Sequence, residues 1–130
     1  MKSELKKLGE AELEIMQAIW SEDQPLTSVR VLEKLKGLRN WQLSTLMTSL
    51  SRLEDKGYVK CSRDSGMNLY SATVAENDYK AGASRSFLKK LYNNSARSLV
   101  ATLYDNNILD GDDLKELREY LDRLESERHD

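Results

Sequence analysis

With 130 residues the chain has room for one domain, or for one small domain and an extension. A formal net charge of −2 gives no overall pull toward nucleic acid, and a single cysteine, Cys61, excludes an intrachain disulfide or a cysteine-rich metal site. No apolar run is long enough for a signal peptide or a membrane span, so a cytoplasmic protein with no membrane partner is expected.

Taken in order, residues 1–7 are polar and expected to fray. A first helix begins at Leu8-Gly9-Glu10-Ala11-Glu12-Leu13. Gly9 is its N-cap, Glu12 stands where a capping-box acid belongs, and Leu8 can staple to Leu13. Leu13, Met16, Ile19 and Trp20 form its buried stripe, and the turn chemistry of Ser21-Glu22-Asp23-Gln24-Pro25 ends it. Thr27 caps a second, short helix whose apolar stripe is Val29, Leu32 and Leu35 and whose stop is Gly37.

A third helix is expected from Asn40, as N-cap, to Gly57. Leu43, Leu46, Met47, Leu50 and Leu53 share one face. Trp41, Thr45, Thr48 and Arg52 fall together on the other. A solvated helix face is usually rich in Glu and Lys, whereas this one carries short hydroxyls and an Arg. Hydroxyls reach phosphates and base edges, and Arg grips guanine or phosphate. The plainer alternative is a core helix with a Ser/Thr-rich exterior. Two short helices joined by a tight connection are consistent with a helix-turn-helix.

After Gly57 the period changes from helical to alternating. Tyr58–Ser62 and Leu69–Val74 read as strands joined by the turn Arg63-Asp64-Ser65-Gly66. A lone hairpin is unstable and must lean on the helices. Three helices followed by a hairpin is the winged-helix arrangement, with Arg63 and Gly66 at the wing tip and the DNA backbone or minor groove as its expected partner.

From Glu76 the pattern is helical again. Tyr79, Phe87, Leu88, Leu91 and Tyr92 mark one helix, broken at Asn93-Asn94-Ser95. Leu99, Val100 and Leu103 mark a shorter one to about Tyr104. After Asp105-Asn106-Asn107, Asp110 caps a last helix with the stripe Leu114, Leu117, Leu121 and Leu124. These segments offer more apolar surface than one chain buries, which points to pairing with a second copy. Residues 25–74 carry eight Lys/Arg against four Asp/Glu, and residues 75–130 nine against twelve. A mildly basic segment joined to an acidic one fits a nucleic-acid module with a separate partner surface.

The ordered set of motifs resembles the penicillinase and methicillin-resistance repressors (the BlaI/MecI/CopY family). Leu8-Gly9-Glu10-Ala11-Glu12-Leu13-Glu14-Ile15-Met16 with Ile19-Trp20 looks like that family's opening. Trp41, Thr45, Thr48, Leu50-Ser51-Arg52-Leu53 and Lys56-Gly57-Tyr58-Val59 look like its recognition helix and first wing strand. Phe87, Tyr92, Ser98-Leu99-Val100 and Glu116-Leu117 resemble its dimerisation region. The resemblance covers roughly residues 8–125. It implies a homodimeric repressor on palindromic operator DNA. DNA contact is carried onto Thr45, Thr48 and Arg52, with Ser44 beside them, Trp41 near the phosphates and Arg63 on the wing. The implied dimerisation residues are Phe87, Leu91, Leu99, Val100, Leu103, Leu117 and Leu121.

The chain departs from the family at Ser44 and Met47, where the methicillin repressor has basic residues. An inducing protease or sensor protein is a further implied partner. Resistance repressors are released when an induced protease cuts an Asn-Phe bond, but the matching pair here is Ser95-Ala96. The copper-responsive branch has paired C-terminal cysteines, and this chain has none.

Several residues have plainer readings. Cys61 reads as a small strand residue. Tyr70 reads as packing between wing and body. His129 is a lone His and not a ligand. Asp110, Asp112 and Asp113 are acids at a helix N-terminus rather than a cation site. With no nucleophile beside a base and no glycine-rich phosphate loop, neither enzyme chemistry nor a cofactor or metal is expected. The fold expected is therefore mainly α: a winged helix-turn-helix over residues 1–74 and a helical dimerisation domain over 75–130. The rival is a winged-helix protein-interaction module without sequence-specific DNA binding.

Overall fold

The computed structural model describes residues 6–128; the expectations for residues 1–5 and for His129 lie outside that range. In chain order it contains α1 (Glu10–Trp20), β1 (Leu26–Thr27), α2 (Ser28–Lys34), α3 (Leu43–Asp55), β2 (Val59–Asp64), β3 (Met67–Ala72), α4 (Glu76–Tyr92), α5 (Ala96–Asp105) and α6 (Gly111–Arg128). Helix α1 starts as its sequence indicates: Gly9 is the N-cap and its N–H donates to Glu12 Oε1 at 3.0 Å. Thr27 caps α2, its hydroxyl accepting from the Arg30 N–H at 3.1 Å.

Inside α2 the expected stripe is corrected. Val31 and Leu35, one helical turn apart, are fully buried, whereas Val29 is 57% exposed. The two valines lie two positions apart, so only one can face the core.

The sheet has three strands in the order β1-β3-β2, all antiparallel. Val59 pairs with Ala72 at one end of the hairpin and Asp64 with Met67 at the other. The connection is therefore only Ser65-Gly66, both with positive φ (53° and 81°), the geometry of a two-residue primed turn. Arg63, expected in the turn, is a strand residue opposite Asn68. The expected hairpin is joined by a third, two-residue strand, with Leu26 opposite Tyr70 and Thr27 opposite Leu69. Two residues beyond this short edge, the Ala72 N–H is satisfied by the Gln24 side-chain oxygen at 2.6 Å.

Helices and sheet enclose one core. Ile15, Met16 and Ile19 of α1, Val31 and Leu35 at α2, Leu46, Leu50 and Leu53 of α3, and Tyr58 are fully buried. Tyr79, in the first turns of α4, packs against this core with its ring 5.9 Å from both Trp20 and Tyr58. Trp20 itself is half-buried and donates from Nε1 to the Val74 carbonyl at 2.9 Å. The compact units are accordingly Met1–Ala83 and Ser84–Asp130, against a boundary expected after residue 74.

The second unit contains the rest of α4 with α5 and α6. Asn93 and Asn94 break the chain with φ of 51° and 65°, and Ser95 caps α5 by accepting from the Ser98 N–H at 3.1 Å. Helix α5 ends with Ile108 N–H on the Leu103 carbonyl and Asn107 N–H on the Tyr104 carbonyl, with Asn107 left-handed. Asp110 and Asp113 cap each other reciprocally at 3.0 and 2.9 Å, and the Asp113 N–H holds the Asp110 carboxyl below its ordinary pKa. No residue of α4, α5 or α6 is buried. Among the described residues, no helix is long and apolar enough to cross a membrane.

Candidate nucleic-acid interface

Helix α3 carries the expected contact residues Ser44, Thr45, Thr48 and Arg52, and its two ends are made differently. At the C-terminus Lys56 is the C-cap and Gly57 follows with φ 86°. The Tyr58 N–H reaches the Leu53 carbonyl at 2.9 Å and the Gly57 N–H the Glu54 carbonyl at 3.0 Å, a complete Schellman motif. At the N-terminus the cap is Gln42 rather than the expected Asn40. The reason is Trp41. Its N–H turns back to the Arg39 carbonyl at 2.9 Å, its half-buried ring packs on the core, and residues 39–41 stand outside the helix. Trp41 is thus not part of the helix face on which it was expected.

Leu46, Leu50 and Leu53 are buried; Met47 is half-buried, its sulfur 4.0 Å from the Tyr70 hydroxyl. Leu43, expected on this face, is 45% exposed because it lies in the first turn, ahead of the first core contact at Leu46. The opposite face exposes Ser44, Thr45, Thr48 and Arg52 together. It also exposes Ser51, one turn beyond Thr48, which the same helical arithmetic places on this face although it is not among the expected contacts. The Thr48 hydroxyl donates to the Ser44 carbonyl at 3.1 Å, leaving its lone pairs outward as acceptors.

The arginines divide into two groups. Arg30 donates from Nε to Glu22 at 2.8 Å, and Arg39 donates to both oxygens of Glu14 at 2.6–3.1 Å. The Arg30 hydrogen bonds hold the Glu22 carboxyl below its usual range, and Glu14 raises the Arg39 guanidinium further. Arg52 and Arg63 have no carboxylate within 4.0 Å among the described residues. Unpartnered guanidinium groups keep all their donors for an incoming anion.

On the hairpin, Arg63 shares a face with Cys61 and Val59 by strand alternation. Tyr70, opposite Cys61, is 4% exposed, which supports its reading as packing. Burial and then the neighbouring thiol raise its phenol pKa. Arg63 itself stays exposed beyond this packed region, opposite Asn68.

The penicillinase repressor family profile matches residues 8–123. The penicillinase repressor of Bacillus licheniformis is 30% identical over 118 residues, covering 91% of each chain. The solution structure of the DNA-binding domain of the repressor BlaI matches with a TM-score of 0.51 at 29% identity, over 61% of this chain and 94% of that one. The Bacillus licheniformis BlaI monomeric form, solved in complex with the blaP half-operator, matches with a TM-score of 0.50 at 28% identity, over 58% of this chain and 92% of that one. With a winged helix in the first unit and a family match running through both, the chain belongs to the penicillinase repressor family.

Proposed function

We propose that the protein is a DNA-binding transcriptional repressor that acts as a homodimer on an inverted-repeat operator. The observation that carries the reading is the α3 face, where hydroxyls and an arginine with no carboxylate within 4.0 Å among the described residues stand together on a helix whose other side is buried in the core. Ser44, Thr45, Thr48 and Arg52 enter the major groove, with Arg52 as the base or phosphate reader. Arg63 on the wing contacts the backbone and fixes register. Trp41, just ahead of the helix cap, lies at the phosphate edge with its ring N–H turned inward toward Glu14.

The second unit supports self-association. Phe87 (46%), Leu91 (66%) and Leu121 (52%) are exposed in the single chain, and Leu99, Val100, Leu103 and Leu117 are only half-buried. Apolar residues at helical spacing on elements without one buried residue are the surface a second copy would cover. Two copies would place two recognition helices about 34 Å apart, or a multiple of that. Ser95-Ala96 stands where the family has its cleaved Asn-Phe pair, which argues against release by that cleavage and leaves a sensor or protease acting elsewhere as the partner.

The test is binding of the full chain to a duplex carrying an inverted repeat from its own upstream region, titrated with salt, with the mass of the complex measured in parallel. Tight binding by a dimer that weakens steeply with salt is expected. Binding no tighter than to random DNA would favour a protein-docking role instead.

A further inference from the structure

The turn between α2 and α3 is poorly anchored by its own residues. Of residues 36–42 only Trp41 is half-buried; the others are exposed, Leu38 at 64%. The backbone hydrogen bonds made by residues 36–41 are local. Among the described residues, every side-chain hydrogen bond from this turn to another element ends on one carboxylate, that of Glu14 on α1. Arg39 reaches it from Nε at 2.9 and 3.1 Å and from Nη2 at 2.6 Å, and Trp41 Nε1 reaches it at 3.4 Å. The Arg39 guanidinium also lies 6.0 Å from the Trp41 ring centroid. The first turn of α3 inherits its position from this turn, because its first buried residue is Leu46, while Leu43 is 45% exposed and Ser44 and Thr45 are exposed.

We infer that Glu14 is a positioning residue for DNA recognition. By gripping Arg39 and Trp41 it fixes the N-terminal end of the recognition helix, where Ser44 and Thr45 are presented. The inference rests on the DNA-binding reading above. The effect expected of losing Glu14 is opposite in sign to that of charge alone. Removing a negative charge near a DNA-facing surface, and freeing Arg39, should strengthen binding to any duplex. Loosening the turn should weaken binding to the correct sequence, since misplaced donors no longer meet their base edges.

The full-length wild-type chain first selects a duplex from a random-sequence pool. The affinity of each variant for that duplex and for a scrambled one of equal length then gives a specificity ratio. For Glu14→Gln the ratio is expected to fall about tenfold, comparable to one lost base contact, while affinity for the scrambled duplex holds or rises. A general loss of structure would lower both affinities together. The reversed pair, Glu14→Arg with Arg39→Glu, is expected to recover more of the ratio than Glu14→Arg alone. Should Glu14→Gln fail to fold, Glu14→Asp carries the test, since it keeps the charge and shortens the reach; its ratio is also expected to fall. A ratio unchanged or raised, with a wild type that does select a sequence, overturns the role of Glu14 and leaves the DNA reading intact. A wild type that selects no sequence overturns the DNA reading and the role of Glu14 with it.

Discussion

The two units of the chain satisfy their apolar residues in different ways. In Met1–Ala83, three helices and a small sheet close over a core in which, among the described residues, nine large side chains are fully buried. In Ser84–Asp130, the helical stripes are as regular, yet none of their residues is buried in the single chain. The difference lies in what each stripe has to pack against. Helices α1, α2 and α3 pack on one another and on a sheet, whereas among the described residues the second unit has no strand for α5 and α6 to pack on. Amphipathic pattern predicts that a face will be covered; it does not say by which chain.

The largest test of this contrast is a core truncation. Leu50→Ala should destabilise the first unit by about 2–5 kcal/mol, measured by chemical denaturation, with little dependence on protein concentration. Leu121→Ala should have a small effect on a monomer and a concentration-dependent one if a second copy covers it. Leu121→Asp should then shift the sedimentation of the full chain to that of a monomer, and a dimer that persists would place the interface elsewhere.

At the proposed interface the effects are smaller. Arg52→Ala should cost about 1–3 kcal/mol of operator affinity if it reads a base. Arg63→Ala should weaken binding to all duplexes alike and reduce the salt slope by about one. Unchanged affinity in either folded variant would remove that residue from the site.

The smallest effect concerns pH. Burial pushes the Glu12 carboxyl up, but the Lys56 ammonium at 2.6 Å and the Gly9 N–H bring it below its ordinary value. A carboxylate with a depressed folded pKa adds stability above its unfolded pKa of about 4.3, and that stability is lost as pH falls through the folded value. Glu12→Gln should therefore lower stability at neutral pH and flatten its decline in the acid range, followed by thermal unfolding across pH.

What the sequence alone determined is the punctuation of the chain. Thr27, Gly57, Ser95 and Asp110 act on backbone groups a few residues away, so their neighbours in sequence suffice to read them. The hydroxyl-and-arginine face of α3 was legible for the same reason, since helical spacing alone brings Thr45, Thr48 and Arg52 together. Tertiary structure decided the rest. Strand β1 is two residues long and exists only because β3 offers it an edge. Trp41 leaves the helix because its ring packs on the core and its N–H faces a carboxylate 27 residues earlier. Tyr79 joins the first unit because Trp20 and Tyr58 lie beside it. Each of these placements depends on groups brought together across the fold, and a local pattern of amino acids holds no record of such distant partners.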